Sequence, residues 1–151
     1  MMHTTHRGFA LLISVILTSV VLALGIALLD IAYKQVLLSS SAKNSQYAFY
    51  NADSALECAL YYDQKINAFY YGSTYAGSVQ CSNIAVSNFA ANQNGSQRTT
   101  VFSVPCASGG ISADITIIKT PSGTTNIYAN GYNSCDASSP SRVERGLKAK
   151  Y

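Results

Sequence analysis

One uninterrupted apolar stretch constrains this chain more than any other feature: Phe9 to Leu29 contains 21 consecutive residues without a charge. About 20 apolar residues at a helical rise of about 1.5 Å per residue span the hydrocarbon core of a bilayer. The only interruptions are Ser14, Thr18, Ser19 and Gly25, and a helix can satisfy Ser and Thr hydroxyls through its own carbonyl groups. The stretch therefore predicts a transmembrane helix over residues 9–29.

The rest of the chain has the composition of an exported domain. Only 11% of the residues are charged, the formal net charge is +3, and Ser, Thr, Asn, Gly and Tyr are abundant. This composition suits a surface or filament protein better than a cytosolic enzyme. The four cysteines all follow the apolar stretch, and an even number in a small exported domain favours two disulfides. They are Cys58, Cys81, Cys106 and Cys135. Because the C-x-x-C spacing is missing, we predict no metal site.

The cysteine positions favour one of the three pairings that four cysteines allow. Cys106 and Cys135 are nearly equidistant from a turn centred near Ser122, so strand pairing brings them together at the open end of a hairpin. Cys58, on the preceding helix, would then pair with Cys81. Each bridge is expected to stabilise the fold by about 2–4 kcal/mol. The two other pairings stay open at this point.

Helical periodicity continues beyond the apolar stretch and predicts an amphipathic second half of the same helix over residues 30–69. Pro and Gly are absent between Ile26 and Tyr71. Apolar residues there recur at intervals of three, four, three and seven residues, which places them on one helix face. These residues are Phe49, Ala52, Leu56, Ala59 and Ile66. At about 1.5 Å per residue, the whole helix would be about 90 Å long.

The remainder of the chain predicts a small antiparallel sheet. Residues 70–110 are poor in periodicity and rich in Gly, Ser, Asn and Tyr, and we predict a linking region with short strands near 77–81 and 99–104. A turn is indicated at residues 94–96, which read Asn-Gly-Ser. Residues 111–151 predict a three-stranded antiparallel meander, because apolar and polar residues alternate in three segments. The segments are 111–117, 127–132 and 142–149. The fold class is therefore α+β, with one long N-terminal helix packed on a small antiparallel sheet.

The start of the chain resembles the class III signal of type IV pilins. A short basic leader, residues 1–8, ends in Arg7-Gly8, and Phe9 then opens the apolar helix. The resemblance implies that prepilin peptidase cuts between Gly8 and Phe9 on the cytoplasmic face and methylates the new N-terminal residue. Gly suits this position because it permits an extended, accessible backbone at the helix edge. The alternative is an uncleaved signal anchor.

Two further features narrow the resemblance. Most pilins carry a Glu at the fifth mature position, which pairs with a neighbouring subunit's terminal amine, whereas this chain has Ile13 there. That departure is similar to minor pilins and pseudopilins of the PilX and GspK types, thought to lie at or near a filament tip. Residues 46–63 also resemble the second half of the N-terminal helix in PilX-type minor pilins, through Ala48-Phe49, Ala52-Asp53 and the run from Ala55 to Glu57. Gly25 is a candidate flexible point of this assembly helix, or a site of close helix contact.

Catalysis is not indicated by the sequence. His3 and His6 both lie in the leader, so a chain cut after Gly8 would have no histidine as a general base or metal ligand. The seven carboxylates are scattered, and P-loop and G-x-S-x-G motifs are missing. We therefore predict a protein that is not an enzyme and needs no cofactor. The eleven tyrosines are candidates for an adhesive surface or for covering the helix–sheet junction.

Four basic residues near the last predicted strand are a candidate contact for DNA phosphates or another anion. They are Arg142, Arg145, Lys148 and Lys150. Three of them are expected on the solvent face. Arg145 is expected on the inward face, either as an edge residue or paired with Asp114 or Asp136. The alternative, which we favour, is a solvated basic face that protects the sheet edge from aggregation.

The resemblance implies a structural subunit of a type IV pilus-like filament, or fimbrium, with a role in cell adhesion or in type II secretion. The implied partners are other pilin subunits, prepilin peptidase, an assembly ATPase and the inner-membrane platform. The implied location is the cytoplasmic membrane, single-pass with the C-terminal domain outside the cytoplasm, and then an extracellular filament. The alternatives are a membrane-anchored binding domain that never polymerises and a competence pilin that takes up DNA.

Overall fold

The computed structural model describes residues 7–72, 75 and 77–151 and has an α+β architecture. One helix, α1 (Arg7–Gln64), is followed by seven strands in this described part of the chain. The strands are β1 (Gln80–Cys81), β2 (Ile84–Ala85), β3 (Ser87–Asn94), β4 (Gln97–Pro105), β5 (Ile111–Lys119), β6 (Thr125–Tyr132) and β7 (Glu144–Lys150). Two compact units divide the chain: the first ends at Ser41, and the second, Ala42–Tyr151, is called the head below.

The head contains one five-stranded antiparallel sheet in the order β3-β4-β5-β6-β7, while β1 and β2 form a separate short hairpin. The predicted alternation in the C-terminal strands is confirmed, because Ile115, Ile117, Ile127 and Ala129 are all buried. Their side chains point toward α1 and form the middle of the core. The third predicted strand corresponds to β7, which begins at Glu144. The expected helix-on-sheet layout is therefore present.

Small residues let α1 lie unusually close to the sheet. The buried apolar positions of the helix in the head are all alanines: Ala48, Ala52, Ala55 and Ala59. A Cβ atom added to Gly131 on β6 would lie 2.2 Å from the backbone nitrogen of Ala52 and 2.3 Å from the carbonyl oxygen of Ala48. The predicted helix face was wrong at Phe49 and Ile66, which are 45% and 38% exposed. Large side chains cannot fit where two backbones approach this closely.

The helix ends at Gln64, five residues before the predicted end at Phe69. Asn67 has a φ of 55°, a left-handed conformation that asparagine tolerates and that often ends helices. The amide of Ala68 then donates to the carbonyl of Tyr62 at 2.9 Å. This reversal directs Ala68 and Phe69 into the core, where both are buried.

The sheet is larger than predicted, because residues 70–110 do not form only a linking region. Most of their second half forms the β3–β4 hairpin, and the predicted strand at 99–104 lies within β4. The predicted turn at residues 94–96 is confirmed: Asn94 pairs with Gln97, and Gly95 has a φ of 53°. Of the predicted strand at 77–81, only the two residues of β1 are extended. β3 escaped prediction because it is mostly exposed and polar, so it lacks the apolar alternation that marks a half-buried strand.

Candidate functional site

The first candidate functional region is the apolar part of α1. Every large apolar side chain from Phe9 to Leu29 is at least 41% exposed. By length and composition, α1 is able to cross a membrane, although a signal sequence would meet the same criteria. Contiguous exposed apolar surface of this extent is not stable in water and requires lipid or protein to cover it.

The polar side chains within this segment are satisfied by the helix itself, as predicted. Ser14 Oγ donates to the carbonyl oxygen of Leu11 at 2.8 Å, and Ser19 Oγ donates to that of Ile16 at 2.8 Å. Thr18 Oγ1 donates to the carbonyl oxygen of Ser14 at 2.9 Å. Because each hydroxyl already has an acceptor, the segment presents no unsatisfied hydroxyl donor to a hydrocarbon environment.

The predicted cleavage junction lies in the first turn of the helix. Residues 1–6 of the leader, including His3 and His6, lie outside the described residues. α1 begins at Arg7, so the bond between Gly8 and Phe9 is helical and does not precede the helix as expected for an extended substrate. The first N–H groups of a helix have no partner within it, so unwinding this turn breaks few hydrogen bonds.

The other two predicted positions of the assembly helix are both in regular helix. Ile13 is 41% exposed and adds to the apolar surface. Gly25 continues the helix without interruption, and an added Cβ atom would have no neighbour within 4 Å among the described residues. Packing within the chain therefore does not explain the glycine.

The structure contains the disulfide pairing that hairpin geometry favours. Cys58 on α1 is bonded to Cys81 on β1, with a Cα–Cα distance of 5.7 Å. Cys106, after β4, is bonded to Cys135, with a Cα–Cα distance of 6.2 Å. The first bridge ties the segment after the helix to the helix, and the second joins the loops at one end of the sheet.

The four predicted anion contacts are divided between two faces of the sheet. Lys148 and Lys150 both lie on the outer face of β7, away from α1, and both are exposed. Arg142 precedes β7, and its guanidinium lies 3.7 Å from the centre of the Tyr132 ring. Arg145 is on the helix-facing side as predicted, but its Nε donates to Ser45 Oγ at 2.7 Å. Arg145 therefore lies on the opposite face of β7 from Lys148 and Lys150, as the alternation predicts.

Of the two alternatives for Arg145, the structure has the edge residue: Arg145 is exposed on the edge strand β7. Both candidate carboxylate partners have other donors. Asp114 accepts from Ser103 Oγ at 2.6 Å and from the Tyr132 hydroxyl at 2.9 Å. Asp136 accepts from the backbone and hydroxyl of Ser138, and these bonds hold the pKa of its carboxyl below the usual range.

Sequence reasoning missed a cleft of about 680 Å³ beside the second disulfide. It is lined by Ser108–Ile111, Asp114, Tyr132, Cys135–Ala137 and Arg142. Burial, followed by the hydrogen bond to Asp114, raises the pKa of Tyr132 to about 12. Gly110 has a φ of 84°, and its Cα approaches the backbone of Cys135 so closely that an added Cβ atom would lie 2.1 Å from the Cys135 carbonyl oxygen. The disulfide and this close approach fix the shape of the cleft.

A buried polar cluster near the end of α1 was also missed. Lys119 Nζ on β5 lies 2.8 Å from Asp63 Oδ1, and the Asp63 side chain is 1% exposed. The Tyr151 hydroxyl donates to Asp63 Oδ2. Burial and this bond raise the pKa of Tyr151. Lys119 also donates to Thr125 Oγ1 at 3.2 Å. The cluster therefore links the helix to the end of β5, the start of β6 and the residue after β7. We expect it to stabilise the head.

Comparisons with known proteins do not supply a relative for this site: the sequence matches no protein-family model and no curated protein, and the fold matches no solved structure. The functional argument therefore depends on the apolar segment, the head and its surfaces as described above.

Proposed function

We propose that this chain is a structural subunit of a type IV pilus-like filament, specifically a minor pilin or pseudopilin. The observation that carries the proposal is the change in character along α1. Residues 9–29 expose apolar side chains throughout, whereas four alanines further along the helix are buried against an antiparallel sheet. A filament subunit needs both parts: one that lipid and then neighbouring helices cover, and one that carries a folded head.

Processing would begin at the bond between Gly8 and Phe9. Prepilin peptidase would cut there and methylate the new amine of Phe9. Because this bond lies in the first helical turn, the peptidase must unwind that turn to reach an extended backbone. The cost is small, since the first N–H groups of a helix have no intrahelical acceptor and Gly8 adds no side chain to displace.

Ile13 favours a minor or terminal position over the repeating subunit. An ionised carboxylate within a membrane segment is costly and normally functional. With Ile13 in that place, the apolar stretch of the helix moves from lipid to a helical bundle without a charged side chain. The chain also offers no carboxylate there for the terminal amine of a neighbouring subunit. The partners in this proposal are other pilin subunits, prepilin peptidase, an assembly ATPase and the inner-membrane platform.

The proposal places the chain in the cytoplasmic membrane before assembly and in an extracellular filament afterwards. Outside the cytoplasm the environment is oxidising, so both disulfides seen in the structure would form there. The proposed role is non-catalytic: the helix packs against other subunits in the filament, and the head is exposed on its surface.

The decisive experiment is the intact mass and N-terminal sequence of the protein purified without reduction from its native membrane. We expect a chain that begins at N-methylated Phe9 and contains two disulfides. Gly8→Val should block processing, and Gly25→Ala, a glycine substitution away from the junction, should leave it unchanged. A wild-type chain that still begins at Met1 or Met2 would contradict the proposal and leave a signal-anchored surface binding domain.

A second measurement separates a filament subunit from a processed but unassembled protein. Filaments sheared from the cell surface should contain the head, detected by its mass after reduction and digestion. If processed chain is found only in the membrane fraction, the assembly part of the proposal is wrong even though the cleavage part holds.

A further inference from the structure

One edge of the five-stranded sheet is regular and open. β7 pairs with β6 in unbroken register from Asn126–Lys150 to Tyr132–Glu144. In the part of the chain that the structure describes, no strand lies on its other side. The opposite edge strand, β3, is irregular: its register shifts between Ser87 and Ala90. A bulge of this kind hinders the addition of another strand, whereas a straight edge permits it.

The register also identifies which backbone groups of β7 are free. Thr125 and Tyr151 exchange two hydrogen bonds, with N–O distances of 2.7 and 3.1 Å. Because hydrogen-bonded and non-hydrogen-bonded pairs alternate along an antiparallel ladder, every second residue of β7 directs its N–H and C=O groups away from β6. These residues are Glu144, Gly146, Lys148 and Lys150.

The free backbone groups coincide with exposed positive charge. Lys148 and Lys150 present their side chains on the outer face at two of these four positions. Lys148 Nζ lies 4.9 Å from the centre of the Tyr128 ring, which holds the ammonium group over the outer face. Glu144 is the only acidic residue of β7, against three basic ones, so the edge carries a net positive charge.

We propose that β7 binds an extended acidic segment of another protein, which adds to the sheet as a sixth strand. The backbone of the segment would pair with Gly146 and Lys148, and its acidic side chains on the outer face would lie opposite Lys148 and Lys150. A second copy of this chain is a poorer occupant, since pairing two β7 strands brings two net positive edges together. Strand addition at this edge does not require the filament proposed above.

Binding should be measured with a defined probe and the full chain in neutral detergent micelles. The probe is a capped, fluorescein-labelled seven-residue peptide of alternating valine and glutamate. We expect anisotropy to show saturable binding that weakens as salt increases, and hydrogen exchange to slow at the amides of Gly146 and Lys148. The peptide of alternating valine and lysine should not bind.

Two variants separate charge from strand pairing. Replacing both lysines, Lys148→Glu and Lys150→Glu, should weaken binding about tenfold or more, since two favourable cross-strand pairs become repulsive. The matched control changes the same charge elsewhere, at Lys43→Glu and Lys65→Glu, and should bind like wild type. Gly146→Pro removes an N–H that points away from β6, leaves the charge unchanged, and should also weaken binding about tenfold if strand pairing contributes.

Several outcomes would overturn the proposal. Absence of binding to wild type, or equal losses in the edge variant and the control variant, would show that the positive edge only prevents aggregation. Unaltered binding to Gly146→Pro, whose fold is checked by circular dichroism, would show charge attraction without strand addition. Dimerisation that Gly146→Pro abolishes would identify a second copy as the occupant. Tighter binding of a single-stranded oligonucleotide than of the peptide would identify nucleic acid.

Discussion

The two parts of α1 differ in the size and the burial of their apolar side chains. From Phe9 to Leu29 the exposed residues are mainly Leu, Ile and Val, which present the largest apolar area to whatever covers them. In the head, the buried apolar positions of the same helix are alanines, which allow the helix backbone to approach β6. The first part is specified by hydrophobicity, and the second by shape and a few polar contacts.

The same contrast appears in two ion pairs of nearly equal length. Asp30 and Lys34, one helical turn apart, lie 2.7 Å from each other with side chains 61% and 66% exposed. Asp63 and Lys119 lie 2.8 Å apart, with side chains 1% and 16% exposed. Exposed helical pairs contribute about 0.3–0.5 kcal/mol, whereas breaking a buried pair leaves a charge without its counter-ion and costs about 3–5 kcal/mol.

The largest predicted effect is therefore that of Asp63→Asn. We expect it to lower the free energy of unfolding of the head by about 3–5 kcal/mol, because Lys119 loses its counter-ion in a buried position. Asp30→Asn, the same change in the exposed pair, should cost at most about 0.5 kcal/mol. The measurement is urea unfolding of the full chain in detergent. Equal effects of the two variants would show that burial does not distinguish these pairs.

A double variant tests whether the loss comes from the stranded charge. Asp63→Asn combined with Lys119→Met should recover much of the stability lost by Asp63→Asn alone, since no uncompensated charge remains. A double variant as unstable as the single one would show instead that the bonds of Asp63 to its other partner, Tyr151, dominate.

The second prediction concerns the membrane segment. Leu17 and Tyr50 are comparably exposed, at 60% and 64%, but only Leu17 lies within the charge-free stretch. Leu17→Arg should disfavour membrane insertion by about 2.5–3.5 kcal/mol, because a charge near the middle of a span must enter hydrocarbon. Tyr50→Arg should change the stability of the head by less than about 0.5 kcal/mol. Resistance to alkaline carbonate extraction measures insertion, and undiminished insertion of Leu17→Arg would argue against a membrane span.

Sequence reasoning worked where one physical signal dominates. Absence of charge over residues 9–29 marks the apolar helix, strict alternation marks β5 and β6, and equal distance from a turn favours the Cys106–Cys135 bridge. It failed where tertiary contacts decide. The face of α1 that packs on the sheet is set by how closely Gly131 lets the helix approach, so the alanines are buried and Phe49 is not.

The candidate surfaces were predicted less well than the fold, and for a related reason. Alternation correctly put Arg145 on the helix-facing side, but its partner Ser45 lies 100 residues earlier in the chain. Asp63 and Lys119 are likewise separated by about half of the head's sequence, so no local pattern connects them. The β3–β4 hairpin escaped because an exposed polar edge strand lacks the apolar alternation on which strand prediction depends.

The third prediction compares Gly131, which is in close contact with α1, with Gly25, which has open space around it. Gly131→Ala should lower the free energy of unfolding by about 2–3 kcal/mol, since its Cβ atom would overlap the backbone of Ala48 and Ala52 and force the helix away from β6. Gly25→Ala should instead stabilise the helix by up to about 1 kcal/mol, because no described residue lies within 4 Å of the added methyl group. Thermal unfolding followed by circular dichroism in detergent measures both. A tolerated Gly131→Ala would show that the close approach in the head is not required.

The smallest predicted effect is a pH dependence confined to the head. Burial and the hydrogen bond to Asp114 raise the pKa of Tyr132 to about 12 from its ordinary value of 10.0. The folded state therefore favours the protonated phenol, so this contribution to stability is fully present below about pH 10 and is lost as pH rises toward 12. Tyr132→Phe lacks the contribution, and the difference in unfolding free energy between wild type and this variant should shrink over that interval. The subtraction removes the titration of the lysines, which both proteins share. A difference that stays constant to pH 12 would show that the contact between Tyr132 and Asp114 does not depend on the phenolic proton, and the head would then be as insensitive to alkaline pH at this position as the charge-free part of α1.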